Sequence, residues 1–441
     1  MQRTLLNSLM AWKAKPSRKP VLIDGARQSG KTYLLQTLLG QTFSKTLRID
    51  FLETPAYKDA FSDSLSPDAV IANIELLAGQ SFNLETDLLI LDEIGECPRA
   101  VTALKYFSEQ RPQSFVAASG SNIGLLESFP VGKVEQYNLR PLTFYEFLLA
   151  SEDPGLIRAF ESQVDSDLVH QQLMEKFTDY LFVGGMPEAV ATWYDGQMVS
   201  LLDRTKRVSQ VHQDLISGYR RDFGKYAGKV NALLIEAVFT SVPAQLARFQ
   251  DQSVKRFQFK DVYPNKSRYR EFETAIEWLR SCRLVLANYP IEGRLQAPLA
   301  AYRKDNQIKL FMFDVGLLNH MLGSTHQEIK AQKYAYKGYI AENFVQQELT
   351  AQGFEPTYSW QDARAEIEFV IAAASGEIVP IEVKSGARTR ARSLGSYITK
   401  CAPTQTFKLT GTRGSPVWEK QHRVLPLYWA QFLKEALEND A

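Results

Sequence analysis

Short apolar runs recur through the first third of the chain, each followed by a stretch in which apolar residues fall every three or four positions. Val21-Leu22-Ile23 runs into a glycine-bearing turn and then into YLLQTLL. Thr46–Phe51, Leu88–Leu91, Phe115–Ser119 and Val134–Leu139 come after it. Strands alternating with helical stretches predict a parallel α/β sheet covered on both faces. Ahead of the sheet, Leu5, Leu9 and Trp12 mark one face of a helix that closes at the Lys15-Pro16 step.

After Leu149 the strand pattern gives way to helical spacing, broken at Gly184-Gly185-Met186-Pro187, a helix terminator or a nucleotide-contacting hinge. From Asn231 to Ile291 the order helix, turn, helix and the strand Leu284–Ala287 suits a winged helix. Tyr269, Phe272, Ile276 and Leu279 form the inner face of its second helix. Strands return near the C-terminus: a helix over Gly338–Thr350, an alternating strand Ala365–Ile371 and another at Ile378–Val383.

The length, 441 residues, exceeds what one hydrophobic core supports and predicts about three domains. A 45% apolar and 23% charged composition is that of a globular chain and excludes a disordered or coiled-coil one. With 51 basic against 50 acidic residues, net charge says nothing about partners, so only local charge is informative. Cys97, Cys282 and Cys401 form no CxxC, which excludes a disulfide framework and a cysteine zinc site, and the five histidines show no ligand spacing. The N-terminus makes a poor secretory signal and no run approaches the ~18 apolar residues of a membrane span, so a cytoplasmic chain without a membrane partner is expected.

The first turn carries the sharpest chemistry. Gly25, Ala26, Arg27, Gln28, Ser29, Gly30, Lys31 and Thr32 form a GxxxxGKT loop between strand and helix. Its glycines let successive amides face phosphate oxygens at a helix N-terminus. Lys31 reaches the β and γ phosphates, and Thr32 with Asp92 at the end of the LLILD strand would hold Mg²⁺. Glu93 is placed to orient or deprotonate the attacking water. The strand Phe115–Ser119 ends in Ser119-Gly120-Ser121-Asn122, where any of the three polar side chains could contact the γ-phosphate or the attacking water, with Ser121 taken as the catalytic candidate. ATP and Mg²⁺ are the implied cofactors. A strand run at Thr46–Phe51 separates the two motifs and predicts a sheet with an added strand.

The C-terminal third carries Glu342, Glu368 and Glu382-Val383-Lys384. A side-chain period of two puts Glu382 and Lys384 on one sheet face. Two carboxylates beside an ammonium can bind Mg²⁺ and activate water against a phosphodiester; the alternative is an ordinary α/β domain with a surface ion pair. From Lys384 to Arg413 seven basic residues, Arg388, Arg390 and Arg392 among them, occur with no acid, as a phosphate backbone would require. The winged-helix segment is mixed, Arg268, Arg270 and Arg280 alternating with Glu271, Glu273 and Glu277, which favours domain packing over DNA contact.

GARQSGKT, LLILDEIGECP, ALKYF, AASGSNIGLLESFPVGKVEQYNLRPLTFYEFL, YLFVGGMPEAV, KLFMFDVGLL and VPIEVKSG, in that order, resemble the signatures of a prokaryotic AAA-type ATPase family whose C-terminal half is a domain of unknown function. The resemblance implies an AAA-type P-loop ATPase core over 1–150, a helical lid over 151–228, a winged-helix-like domain over 229–325 and a PD-(D/E)xK nuclease-like domain over 326–441. Gly95 stands where the family commonly has Gln, Gly132-Lys133 where relatives have Gly-Arg, and Glu368 where the nuclease pattern has Asp; Arg140 is a nearby candidate arginine finger. The expected function is ATP hydrolysis acting on DNA or a DNA-bound partner, in a chain free to form a homo-oligomer. A nucleotide-gated DNA- or protein-binding switch and an ATP-regulated DNA nuclease are the alternatives.

Overall fold

The computed structural model describes residues 1–121, 123, 129–197, 200–248, 256–331, 338–362, 365–385, 392–413 and 421–439, without the side chains of 225–230, 392 and 439. It divides into two compact units, Met1–Arg140 with Ser281–Arg283, and Pro141–Arg280 with Leu284–Ala441.

The first unit opens with α1 (Leu5–Ala14) and contains β1 (Val21–Asp24), β2 (Thr46–Asp50), β3 (Leu88–Asp92), β4 (Phe115–Gly120) and β5 (Glu135–Asn138). All are parallel, in the order β2-β3-β4-β1-β5. The added strand is therefore β4, which separates β1 from β3; β2, which intervenes in sequence, lies at the sheet edge. Side chains alternate between two buried faces. Leu22, Leu89, Leu91, Val116 and Ala118 pack under α2 (Pro67–Ala78) and α3 (Pro98–Gln110). Val21, Ile23, Leu88, Ile90 and Ala117 pack with Leu9 and Trp12 of α1 and Leu34, Leu35 and Leu39 of the helical turn after the glycine loop. Burial of both faces explains why β1, β3 and β4 read as unbroken apolar runs, whereas the edge strands β2 and β5 are only partly buried, and β5 (Glu135–Asn138) is polar.

The second unit begins with α4 (Phe144–Leu149), α5 (Pro154–Glu161), α6 (Asp167–Val183) and α7 (Pro187–Trp193), followed by the 48-residue α8 (Leu201–Arg248) and by α9 (Glu273–Ser281). The expected boundary at 228/229 falls inside α8. Phe272, Ile276 and Leu279 are fully buried, as their spacing predicts, while Tyr269 is half-exposed and precedes the helix.

The strands of this unit form one sheet: β6 (Val285–Glu292), β7 (Lys309–Met312), β8 (Thr357–Asp362), β9 (Ala365–Ala372), β10 (Ile378–Lys384), β11 (Thr406–Thr410) and β12 (His422–Pro426), in the order β12-β11-β10-β9-β8-β6-β7. The remaining helices are α10 (Val315–Met321), α11 (His326–Ala331), α12 (Gly338–Ala351), α13 (Arg392–Cys401) and α14 (Leu433–Asn439). The strand of the expected winged helix, β6, pairs in parallel with β8, so the expected boundary at 325/326 falls within this shared sheet. None of the described helices is long and apolar enough to cross a membrane.

Polar side chains of the buried α12 fasten this unit. Asn343 both accepts from the Met312 N–H at 2.8 Å and donates to its carbonyl at 3.0 Å, and Gln347 accepts from Val315 N–H at 3.1 Å. The Gly184-Gly185 break sits against Asp314. Gly185 N–H donates to its carboxylate at 2.6 Å, and a Cβ on Gly184, whose φ is +70°, would stand 2.2 Å from Asp314 Oδ1. Only glycine fits there, and the pair ends α6 as the terminator reading expected.

Glu348, also on α12, accepts the Phe144 N–H at 3.0 Å, and burial pushes its carboxyl up to about 8. In the unfolded chain the group ionises near 4.5, so the folded state holds an extra proton between those values. Its stabilising contribution is complete below the unfolded value and is lost as pH rises through about 8. Thermal unfolding from pH 5 to 8.5 is expected to show a falling melting temperature that flattens in Glu348→Gln. A variant whose decline parallels the parent's would show that another group is responsible.

Candidate active site

In the first unit the loop after β1 is shaped by backbone conformation before any side chain acts. Gln28 and Gly30 take positive φ, 60° and 93°, and a Cβ on Gly25 would meet the Leu139 carbonyl at 2.4 Å. Asp24 at the end of β1 accepts the Gly25 N–H at 2.8 Å, and the Arg3 guanidinium ties the loop to the segment just after β5, donating to Ser29 O at 2.9 Å and to Arg140 O at 2.5 Å. Lys31 is buried at 7% exposure, its ammonium donating to Gly25 O at 3.0 Å, Ala26 O at 2.9 Å and Ser121 Oγ at 3.1 Å. Burial pushes its pKa down, while Glu93, Asp24 and Asp92 pull the other way.

Asp92, at the end of β3, is a point of convergence. Thr32 Oγ1 donates to its Oδ2 at 2.8 Å; Oδ1 accepts the Ser119 hydroxyl and, at 3.2 Å, the Glu93 N–H. Strand order produces this meeting, since β4 between β1 and β3 brings Ser119 beside Asp92 and Ser121 beside Lys31. The sequence could not apportion the polar tail of β4; here Ser119 holds the aspartate and Ser121 the lysine, while Asn122 lies outside the described residues. Glu93 adopts φ 49°, a left-handed conformation costly for a residue with a Cβ, and burial raises its carboxyl with Lys31 opposing. The loop, Lys31, Thr32, Asp92, Glu93 and Ser121 thus lie together in this unit.

Residues 17–148 match the family of AAA domains. This is an AAA-type P-loop ATPase domain. Residues 174–328 match a domain of unknown function (DUF8612) and 337–429 another (DUF4143). No match was found among curated proteins. Among solved structures, the chain is similar to the Walker-type ATPase of Pyrococcus abyssi, with 13% identity over 72% of this chain and 94% of that one and a TM-score of 0.41. It is also similar to DnaA of Aquifex aeolicus bound to AMPPCP, with 14% identity, coverage of 62% and 84%, and a TM-score of 0.26.

Two arginines at the AAA-type site carry no sequence signature. Arg48 of β2 donates through Nε to Asp92 Oδ2 at 2.9 Å, sharing that oxygen with Thr32, and also pairs with Asp50. Arg283, one of three residues from the later chain that belong to this unit, donates to Asp24 Oδ2 at 3.1 Å and Asn138 Oδ1 at 3.2 Å. Both cations lie next to the motif in space and far from it in sequence.

In the second unit Glu368 of β9 and Glu382 and Lys384 of β10 come together. Lys384 Nζ lies 2.7 Å from Glu368 Oε1 and 3.7 Å from Glu382 Oε1. Glu342 instead pairs at 2.6 Å with Lys309, which the sequence reading did not single out. Burial pushes Glu368 up to about 7 against the pull of Lys384. The basic stretch is free of acids in sequence but not in space: Lys400 meets Asp362 at 2.9 Å, and Arg413 meets Asp165 and, at 2.8 Å, Asp167. Arg388, Arg390 and the Arg392 side chain lie outside the described residues.

Proposed function

We propose that the chain is a Mg²⁺-dependent ATP hydrolase whose turnover acts on DNA or on a DNA-bound partner. The observation that carries the first part is the Thr32–Asp92 contact of 2.8 Å beside Lys31 and Glu93, a hydroxyl and a carboxylate converging at the start of a helix. Those two oxygens suit Mg²⁺, which when bound supplies positive charge to the β and γ phosphates. Lys31 exchanges its loop carbonyls for phosphate oxygens, and the amides from Gly25 to Thr32 cradle the remainder. Glu93, held by its backbone next to Asp92, orients the attacking water and takes its proton, while Ser121 moves with Lys31 toward the γ-phosphate.

The DNA part rests on the second unit. Its order α12, β8, β9, β10, α13, β11, with antiparallel pairing up to β10 and parallel pairing after it, carries Glu342, Glu368 and Glu382-x-Lys384 at the helix and strands that a PD-(D/E)xK arrangement uses. That is fold-level analogy and supports binding before cutting.

Steady-state hydrolysis by the purified chain, with and without Mg²⁺ and with and without DNA, tests both parts. Turnover that requires Mg²⁺ and rises with DNA is expected. No hydrolysis under any condition sinks the ATPase reading. Hydrolysis indifferent to DNA across a salt series sinks the DNA reading, and tight ATP binding with barely any turnover favours the nucleotide-gated switch.

Arg48 makes a separate prediction. Its guanidinium occupies the Asp92 oxygen that would face the ion, so Arg48→Ala should lower the Mg²⁺ concentration for half-maximal hydrolysis by roughly 3- to 10-fold, as expected when a competing charge leaves. A higher requirement would show that Arg48 orients Asp92 instead of competing at it.

A further inference from the structure

Glu342, Glu368, Glu382 and Lys384 are the side chains a divalent ion would need for phosphodiester cleavage; both oxygens of Glu382 are buried without a hydrogen-bond partner, but the other two carboxylates are already paired with lysines. Both oxygens of Glu368 are taken: Oε1 accepts from Lys384 Nζ at 2.7 Å and Oε2 from the Val383 N–H at 2.9 Å. Glu342 Oε2 accepts from Lys309 Nζ at 2.6 Å. Among the described residues no group of three or more His, Cys, Asp or Glu side chains is arranged to hold a metal ion.

Lys309 is the unexpected member. It begins β7, next to β6 in the sheet, and its side chain is 2% exposed. A lysine is rarely buried to that degree unless carboxylates compensate its charge. Burial works against the charged form here, and Glu342, Glu366 and Glu368 outweigh it, so the ammonium is retained. Each of the two lysines therefore serves a separate part of the group, Lys309 at Glu342 on α12 and Lys384 at Glu368 and Glu382 on the strands.

We propose that Lys309 takes the place of the divalent cation: its ammonium is the resident counter-ion of Glu342, as Lys384 is of Glu368 and Glu382, and the group of carboxylates holds together without a metal. An ammonium has no open coordination position. It can neither acidify a bound water nor clamp a phosphate oxygen against it, so the second unit retains the framework of a cleavage site without its chemistry. The proposal is independent of the ATPase reading, since no residue is shared and its test needs no nucleotide.

The test is Mn²⁺ binding to the full nucleotide-free chain, followed by electron paramagnetic resonance and by melting temperature. Glu368→Gln should leave the parent's Mn²⁺ isotherm unchanged. Lys309→Met, which keeps the length and removes the charge, should gain one site about tenfold or more tighter than any in the parent, and its melting temperature should rise with Mn²⁺. That site should vanish in Lys309→Met/Glu368→Gln. Lys309→Met/Glu342→Gln, relieved of both charges, should fold without Mn²⁺. A parent site abolished by Glu368→Gln would overturn the proposal, since ion and lysine would then coexist. So would a folded Lys309→Met that gains no site. A Lys309→Met chain that folds neither with nor without Mn²⁺ overturns it equally, because the ion then cannot replace the lysine.

Discussion

Lys31→Ala is expected to weaken ATP binding by about 100-fold or more, the loss of one or two charge-assisted hydrogen bonds worth about 1.5–3 kcal/mol each. The ammonium sits where the loop closes, against the carbonyls of Gly25 and Ala26 and the Ser121 hydroxyl, so only a small movement separates its resting partners from phosphate oxygens. Titration with a fluorescent ATP analogue, alongside circular dichroism to confirm the fold, gives the number. Full-strength binding by the folded variant would sink the site assignment.

Glu93→Gln should bind ATP with near-parental affinity and turn over about 10²–10⁴-fold more slowly, the usual contribution of a positioned base. Glutamine keeps the shape and the left-handed backbone but cannot take a proton. Burial raises the Glu93 carboxyl above its ordinary range, and the group must be ionised to act. Parental turnover should therefore decline as pH falls through that raised value, and the variant should lack this acidic limb. Single-turnover rates across pH settle it; unchanged turnover would move the base elsewhere.

Local pattern discloses some parts of this molecule and hides others. Val21–Ile23 and Leu88–Leu91 read as strands because both faces are buried, and the loop from Gly25 to Thr32 is legible because its chemistry is contiguous. Lateral strand order is set by long-range packing, which no local window contains. For that reason β2 reads as the added strand although β4 occupies the place, and Arg48, on a strand beside β3, gives no signal. The same limit hides Lys309, which stands inside the KLFMFDVGLL signature without being singled out, and its partnership with Glu342 needs the packing of α12 against β7. The Lys384–Arg413 stretch misleads in the opposite sense: it counts charge along the chain, whereas Asp362, Asp165 and Asp167 supply acids across space.

The shared sheet of the second unit bears on how this chain could be cut or recombined. A fragment starting at residue 326 would keep β8 through β12 but strip β6 from the flank of β8, leaving the row of amides and carbonyls that now pairs from Asn288 to Glu292 bare. Such an edge, on a strand whose residues Thr357 to Trp360 are otherwise buried, is a template for pairing between copies, so the fragment should precipitate or form mixed oligomers instead of a tame monomer. It would also orphan Asn343, which loses both of its bonds to Met312. Transplantation into another protein therefore has to carry β6 and β7 along, and an insertion in the 292–309 connection leaves every strand pair intact.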